Sequence, residues 1–470
     1  MEGEVVKELK RKIVENAVER FSAEKKSKHG DTGVMANECI QIFFVNSIDE
    51  MNAATCVPTD PVFIQFDDDN GKIYGYKDLK INIYFNVNSF HSYVDISFQS
   101  KKDDGKGITD VKYWVQNLLG TESIDKKVFI DTFISEDHCI RDALSSGLII
   151  RHYSFQDINS ESIANIDINS TIEVVQMNSS CDSSRLLYNR FSSLIPLLIE
   201  GGEPVDIDDP CWGIYFAVKK IPTESGEAVY KLLGFASAYQ FYHYPDSSRL
   251  RISQILVFPP YQRQGNGHRL LESMNSLAIS KNYHDVTFED PSDYLQYLRT
   301  YIDVLRLDFE CINSEIISNL KKANRSKSIE KILFRPQPCV VEAVREKLKL
   351  HKKHFLRCWE ILIFCNIDRK NKTCMDKFIA CLMERLKADI LGKDTSTNGK
   401  RVVKVENDTT FVMYKCGLAG EKAEVIDEEK HIALQESLDQ VVEQRMKQID
   451  EIAKKVFSMG FKSLNFDLKY

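Results

Sequence analysis

The chain has 470 residues, 43% apolar and 28% charged, with a formal net charge of −7. That is core material for two or three ordinary domains, and no run approaches the roughly 18 apolar residues that a membrane-spanning helix needs. The acidic balance argues against general nucleic-acid binding and is compatible with drawing in a basic partner.

Met1-Glu2-Gly3-Glu4 opens a charged segment unlike the apolar core of a secretory leader, so a soluble, intracellular chain is expected. Twelve cysteines lie scattered without a Cys-x-x-Cys pair, as free thiols in a reducing compartment would. Only His354, four residues before Cys358, has a zinc-like interval, and no metal site is expected.

Along the chain, Val5, Leu9, Ile13, Val14 and Val18 fall at near-helical spacing, which predicts a charged amphipathic helix over residues 1–30. Strands are expected at Glu38–Val45, Val62–Phe66, Ile81–Val87 and Val94–Phe98, with an acidic loop at Asp67, Asp68 and Asp69. Residues 1–150 therefore read as an N-terminal α+β domain. After the polar stretch Ser154–Ser170, residues 151–302 alternate between β and α patterns. A helix is expected over Leu186–Glu200, kinked or ended early by Pro196. Gly213–Lys219 and Leu232–Tyr244 read as adjacent strands, followed by Ile252–Phe258 and a short strand at Val286–Glu289 that Pro291 ends. Residues 303–470 read as a helical region, with a polar, turn-rich mobile loop expected at 392–410. In its long last helix Leu438, Val442, Ile449, Ile452 and Val456 fall near a heptad seam that Arg445 interrupts.

The most informative stretch runs from Ile255 through Gln262-Arg263-Gln264-Gly265-Asn266-Gly267-His268 to Leu271. Strand, Gly-rich turn and helix follow in that order, which sets bare backbone N–H groups at a helix N-terminus, a site for a pyrophosphate. Position 270 is Leu where a dinucleotide fingerprint needs Gly, and His268 follows Gly267 where a P-loop needs Lys.

Gln262 to Gly267 matches Gln/Arg-x-x-Gly-x-Gly/Ala, the pyrophosphate motif of the GCN5-related N-acetyltransferases. With Ile199-Glu200, Asp206-Ile207-Asp208-Asp209-Pro210-Cys211-Trp212, Ile252-Ser253-Gln254 and Glu289-Asp290-Pro291, the chain resembles the type B histone acetyltransferase catalytic subunits, most strongly over residues 195–300. The resemblance implies an α/β (α+β) fold, with a GCN5-related N-acetyltransferase core between the N-terminal domain and the helical extension. It implies acetyl-CoA as co-substrate, and the N-terminal tail of newly made histone H4 as acceptor with histone H3 alongside. It also implies a WD40-repeat histone chaperone subunit as partner, and work in nucleus and cytoplasm with no direct nucleic acid and no membrane.

Acetyl transfer to lysine needs bound coenzyme, a neutral amine and a polarised thioester. Gln262, Arg263, Gln264, Gly265, Asn266, Gly267 and His268 would hold the pyrophosphate. The resemblance assigns the pantetheine arm to Ile255, Leu256 and Val257, and a coenzyme contact to Ser292, which a plain turn serine would explain equally well. A lysine with pKa near 10.4 is neutral in only about one copy in a few thousand at pH 7, so a carboxylate must take its proton. Glu289 leads because it stands at a strand end beside Asp290 and Pro291, and the resemblance matches Glu289, Glu200 and Asp290 to the family's acidic site. Trp212, Tyr239 and Phe241 either pack as core or line the peptide path, as their family counterparts do. Asp67 and Asp69 either solvate a turn or touch the tail, and Asp206, Asp208 and Asp209 could meet basic residues beside the target. Two other readings stay open: an acetyltransferase for another protein or a small amine, and a non-catalytic histone-binding scaffold.

Overall fold

Two larger sheets and a set of helices come from stretches whose apolar residues alternate or recur as the sequence demands. The computed structural model describes residues 33–53, 55–62, 71–102, 107–120, 124–136, 138–154, 170–223, 227–307, 336–391 and 428–459, with short pieces at 312, 314–316, 318–319, 401–402 and 414–415. The helix expected over 1–30, Asp67 and Asp69, the strand after Val62, the polar stretch 155–169 and nearly all of the loop 392–410 lie outside these residues. The chain divides after Glu289 into two compact units.

In the first unit, β1 (Ile40–Val45), β2 (Pro58–Thr59), β3 (Lys80–Asn86) and β4 (Ser92–Ser97) form a sheet of order β2-β1-β3-β4. Every second residue of β3 (Ile81, Ile83, Phe85) is buried, the mark of a sheet with one face in a core. The helices α1 (Val111–Leu119), α2 (Lys126–Ser135) and α3 (Cys139–Leu144) follow. A second sheet contains β5 (Leu148–Tyr153), β6 (Thr171–Gln176), β7 (Trp212–Pro222), β8 (Ala228–His243), β9 (Ser247–Val257) and β10 (Val286–Phe288), in the order β10-β9-β8-β7-β6-β5. All its pairings are antiparallel except β9 with β10, which the helix α6 (Asn266–Ser280) connects.

The two faces of this sheet enter different cores. Ile214, Phe216, Phe235, Leu256 and Phe258 pack with Phe85 and Phe90, and with Leu187 and Phe191 of α4 (Asp182–Ser192). Tyr215, Ala217, Ala236, Leu250 and Ile252 pack against Leu270, Met274 and Leu277 of α6. The helix expected over Leu186–Glu200 begins and ends sooner than its apolar pattern suggests. It stops at Ser192, and a short α5 (Ile195–Leu198) follows with Pro196 in its first turn, where a missing N–H leaves no bond unmade.

The second unit contains α7 (Asp293–Arg306), α8 (Pro338–Leu348), α9 (Lys352–Asn366), α10 (Lys372–Leu391) and α11 (Glu428–Ser458). Its helices start ahead of residue 303, because the Ser292 hydroxyl accepts the Leu295 N–H at 3.3 Å and caps α7. The seam residues Leu438, Val442, Ile449, Ile452 and Val456 are buried as expected, and so is Arg445 among them. Its guanidinium bonds the fully buried Glu360 of α9 at 3.0 Å, and Arg385 of α10 pairs with the other Glu360 oxygen. The break in the seam is a buried ion network.

Candidate active site

The Gly-rich loop is held from beneath by the helix that it opens. Asn266 and Arg269, both buried in the first turn of α6, reach back to the loop. Asn266 Nδ2 donates to the Tyr261 carbonyl at 2.8 Å, and Arg269 Nη1 donates to the Gln264 carbonyl at 2.8 Å and to Asn266 Oδ1 at 3.0 Å. A carbonyl drawn inward at Gln264 turns the next N–H, that of Gly265, outward. Gly265 itself has φ +78°, and a Cβ there would meet Arg269 Nη1 at 3.3 Å, so glycine serves both backbone and cradle. Arg263 is also left-handed, with φ +58°. The first turn of any helix turns its N–H groups towards the N-terminal end, which makes the start of α6 at Asn266 and Gly267 a donor surface for an anion. The helix is pinned to β5: the Tyr153 hydroxyl donates to the Arg269 carbonyl at 2.9 Å, and Arg151 pairs with Glu272 at 2.8 Å.

Beside this loop the sheet opens. The ladder between β9 and β10 ends at Ile252↔Phe288, with the Glu289 N–H bonding the Ile252 carbonyl at 2.9 Å. Beyond it β9 continues to Val257 with no strand on that side among the described residues. The Phe258 N–H bonds the Leu233 carbonyl across the pair Gly234↔Val257. Antiparallel alternation therefore turns the N–H and C=O of Ile255 and Val257 to the open edge, and those of Leu256 towards β8. Gln262 Nε2 takes the Val257 carbonyl at 2.9 Å. The Ile255 main chain and the Val257 N–H are thus aimed at the edge, where an amide-bearing arm could pair.

A bulge separates the two halves of β9. Ser237 faces Gln254 while Ala238 faces Ile252, which leaves Ser253 unpaired. The parity of the strand changes there: Leu250 and Ile252 face the α6 core, but so do Ile255 and Val257. Ser253 and Gln254 consequently both lie on the other face. Ser253 Oγ donates to Glu289 Oε2 at 2.7 Å. Buried Gln254 accepts from the Ser237 hydroxyl at 3.1 Å and donates to the Glu203 carbonyl, which ties down the segment after Glu200.

On the same face a run of contacts leads to Glu289. Trp212 and Tyr239 are register partners with ring centroids 5.0 Å apart, and Tyr239 lies 4.6 Å from Phe241. Arg251 stacks on the Phe241 ring at 5.2 Å, and its Nη1 lies 3.9 Å from Glu289 Oε1. Arg251 and Glu289 are about half exposed, at 43% and 49%. The Asp209 carboxylate beside the Tyr239 hydroxyl, helped by the Cys211 thiol, pushes that phenol up to about 12. Asp209 also accepts the Cys211 N–H at 2.8 Å, Asp206 accepts the Asp208 N–H at 2.9 Å, and Asp208 pairs with Arg185 at 2.5 Å. These three carboxylates shape their own loop.

The structure thus brings Trp212, Tyr239, Phe241 and Glu289 into one line of contacts, and Ile255, Val257 and Gln262 to His268 onto one strand-loop-helix. Glu200 is exposed on the turn after α5, next to Gly201 at φ +64°. Asp290 and Ser292 open the second unit, Asp290 at φ +30°. The sequence reading used Ser253-Gln254 only as part of the resemblance and gave no role to Arg251, Ser253, Gln254 or Arg269. Its available signal was Ser253-Gln254, two successive polar residues that break an otherwise alternating strand. Among the described residues no group of three or more His, Cys, Asp or Glu is placed to hold a metal. His354 bonds Asp303 at 2.9 Å and lies 3.7 Å from Cys358.

Two family models and several known proteins match the chain. A family model described as "Histone acetyl transferase HAT1 N-terminus" matches residues 32–200, and one described as "Acetyltransferase (GNAT) family" matches residues 204–293. A protein of Zea mays named histone acetyltransferase type B catalytic subunit is 40% identical, over 91% of this chain and 92% of its own. Its counterpart in Arabidopsis thaliana is 39% identical over 92% and 93%. One in Rattus norvegicus is 27% identical over 63% and 65%.

Proposed function

Since the chain belongs to the family of type B histone acetyltransferase catalytic subunits, we propose that it transfers acetyl from acetyl-CoA to a lysine in the N-terminal tail of newly synthesised histone H4, with Glu289 taking the amine proton. The observation that carries this reading is the run Trp212, Tyr239, Phe241, Arg251, Glu289 beside the open edge of β9. Aromatic walls suit the aliphatic stem of a lysine, and a carboxylate at their end suits its amine.

The loop and the edge fit the coenzyme by their own chemistry. Outward N–H groups at Gly265 and along the first turn of α6 suit a pyrophosphate, and the Ile255 and Val257 main chain suits the amides of pantetheine. When bound, acetyl-CoA supplies an activated thioester. Glu289 accepts the proton given up by the amine, directly or through one water, as the N–C bond forms and the C–S bond breaks. The electron pair leaves with the thiolate. Glu200 and Asp290 stand as alternates to Glu289 in that role. The same reading brings histone H3 alongside H4, adds a WD40-repeat histone chaperone subunit as partner, and has the protein work in both nucleus and cytoplasm. Co-purification tests the two partners and cell fractionation the location.

The central experiment is acetyl-CoA-dependent acetylation of an H4 tail peptide by wild type and Glu289→Gln, with coenzyme affinity measured alongside. The expected result is a rate loss of about a hundredfold or more at unchanged affinity. Wild-type rates in the variant would move the proton to Glu200 or Asp290. No turnover by either protein, despite tight coenzyme binding, would reject the H4 tail as acceptor.

A further inference from the structure

We propose that Ser253 is the positioning residue of Glu289: it holds Oε2 so that Oε1 is the oxygen that receives the proton. This rests on Glu289 being the base. An exposed glutamate at a strand end has three torsions and many orientations, so something must choose one of them. The choice falls to the 2.7 Å bond from Ser253 Oγ to Oε2, a hydroxyl donating to a carboxylate.

The other oxygen is left available. Arg251, stacked on Phe241, stops 3.9 Å short of Oε1, beyond hydrogen-bond reach. Among the described residues Oε1 accepts no hydrogen bond, and the Arg251 guanidinium stands near it. The bulge is the local cause: Ser253 is the strand residue without a partner on β8, placed where the β9–β10 ladder ends at Glu289. Bulges near such sites serve to aim a side chain.

The test is a kinetic cycle with acetyl-CoA and an H4 tail peptide, using wild type, Ser253→Ala, Ser253→Thr, Glu289→Gln and the double variant Ser253→Ala with Glu289→Gln. Ser253→Ala should lower kcat about tenfold with both KM values within about twofold, because orientation of the base is lost and binding is not. Ser253→Thr, which restores the hydroxyl, should recover most of that loss. In the Glu289→Gln background the alanine should cost less than about twofold, since nothing remains to be positioned. An equal loss in both backgrounds, or none in either, overturns the positioning role while leaving the base in place. A wild-type rate in Glu289→Gln alone overturns the base assignment, and this inference with it.

Discussion

Glu289 and Glu360 each stand beside an arginine, and their surroundings make them opposite kinds of group. Glu360 is fully buried, with Arg445 on one oxygen and Arg385 on the other, and it ties α9, α10 and α11 together. Glu289 is about half exposed, with one oxygen held by a serine and the nearest guanidinium 3.9 Å from the other. A carboxylate with both oxygens occupied and no access to solvent cannot trade protons with a substrate. One that is anchored at a single oxygen can. Incomplete pairing, rather than the presence of an arginine, separates the proposed base from the structural acid.

The sharpest way to break this contrast is Glu360→Gln. Leaving buried Arg445 and half-buried Arg385 without their anion should cost about 3–5 kcal/mol, read as a lower unfolding midpoint. A cost under about 1 kcal/mol would put Glu360 on the same footing as a surface acid.

Acid should destabilise the helical unit through His354. Burial, and next the Arg299 charge, hold His354 down to about 4. Between pH 6.5 and about 4 the unfolded chain therefore binds a proton that the folded chain refuses. Stability is full above pH 6.5 and should fall by up to about 1.4 kcal/mol per unit as the pH drops through that window. Burial raises the Asp303 carboxyl, but His354, Arg306 and Arg299 outweigh it and hold it below its ordinary value, so its contribution is lost at still lower pH. Unfolding midpoints against pH should show a shallower slope for His354→Gln than for wild type. Parallel slopes would remove His354 as the cause.

A smaller effect is expected at the site's own buried guanidinium. Gly265→Ala should cost about 1–2 kcal/mol from its left-handed backbone, and should weaken coenzyme binding by crowding Arg269. Calorimetry on the free and coenzyme-bound protein reads both. The smallest effect expected is on stability in Glu289→Gln, whose midpoint should shift by less than about 0.5 kcal/mol while its rate collapses.

The strand-loop-helix at residues 255–271 was legible because glycines, prolines and apolar period all point to it. The aromatic run was legible as residues, though not as a line, since Trp212 meets Tyr239 only through the β7–β8 register. Arg445 misled in an instructive way: on sequence alone a charge in an apolar seam is an interruption, and its partner Glu360 lies 85 positions away. The role of Ser253 was hidden for a different reason. Alternation identifies a strand but gives no sign of where it slips by one, and the contact that gives Ser253 meaning comes from Glu289, just past β10 and across a helix in sequence.

Leave Ser253 out of the count and β9 reads Arg251, Ile252, Gln254, Ile255, Leu256, Val257, Phe258 in unbroken alternation. Ile252, Ile255 and Val257 still face one core, and Leu256 and Phe258 the other. The pairs Ala238↔Ile252 and Ser237↔Gln254 become successive rungs. The strand is one letter longer than its packing requires, and the surplus letter is the one that touches Glu289. A chemical group can enter a fold by addition as well as by replacement, and here the addition leaves every apolar neighbour in place.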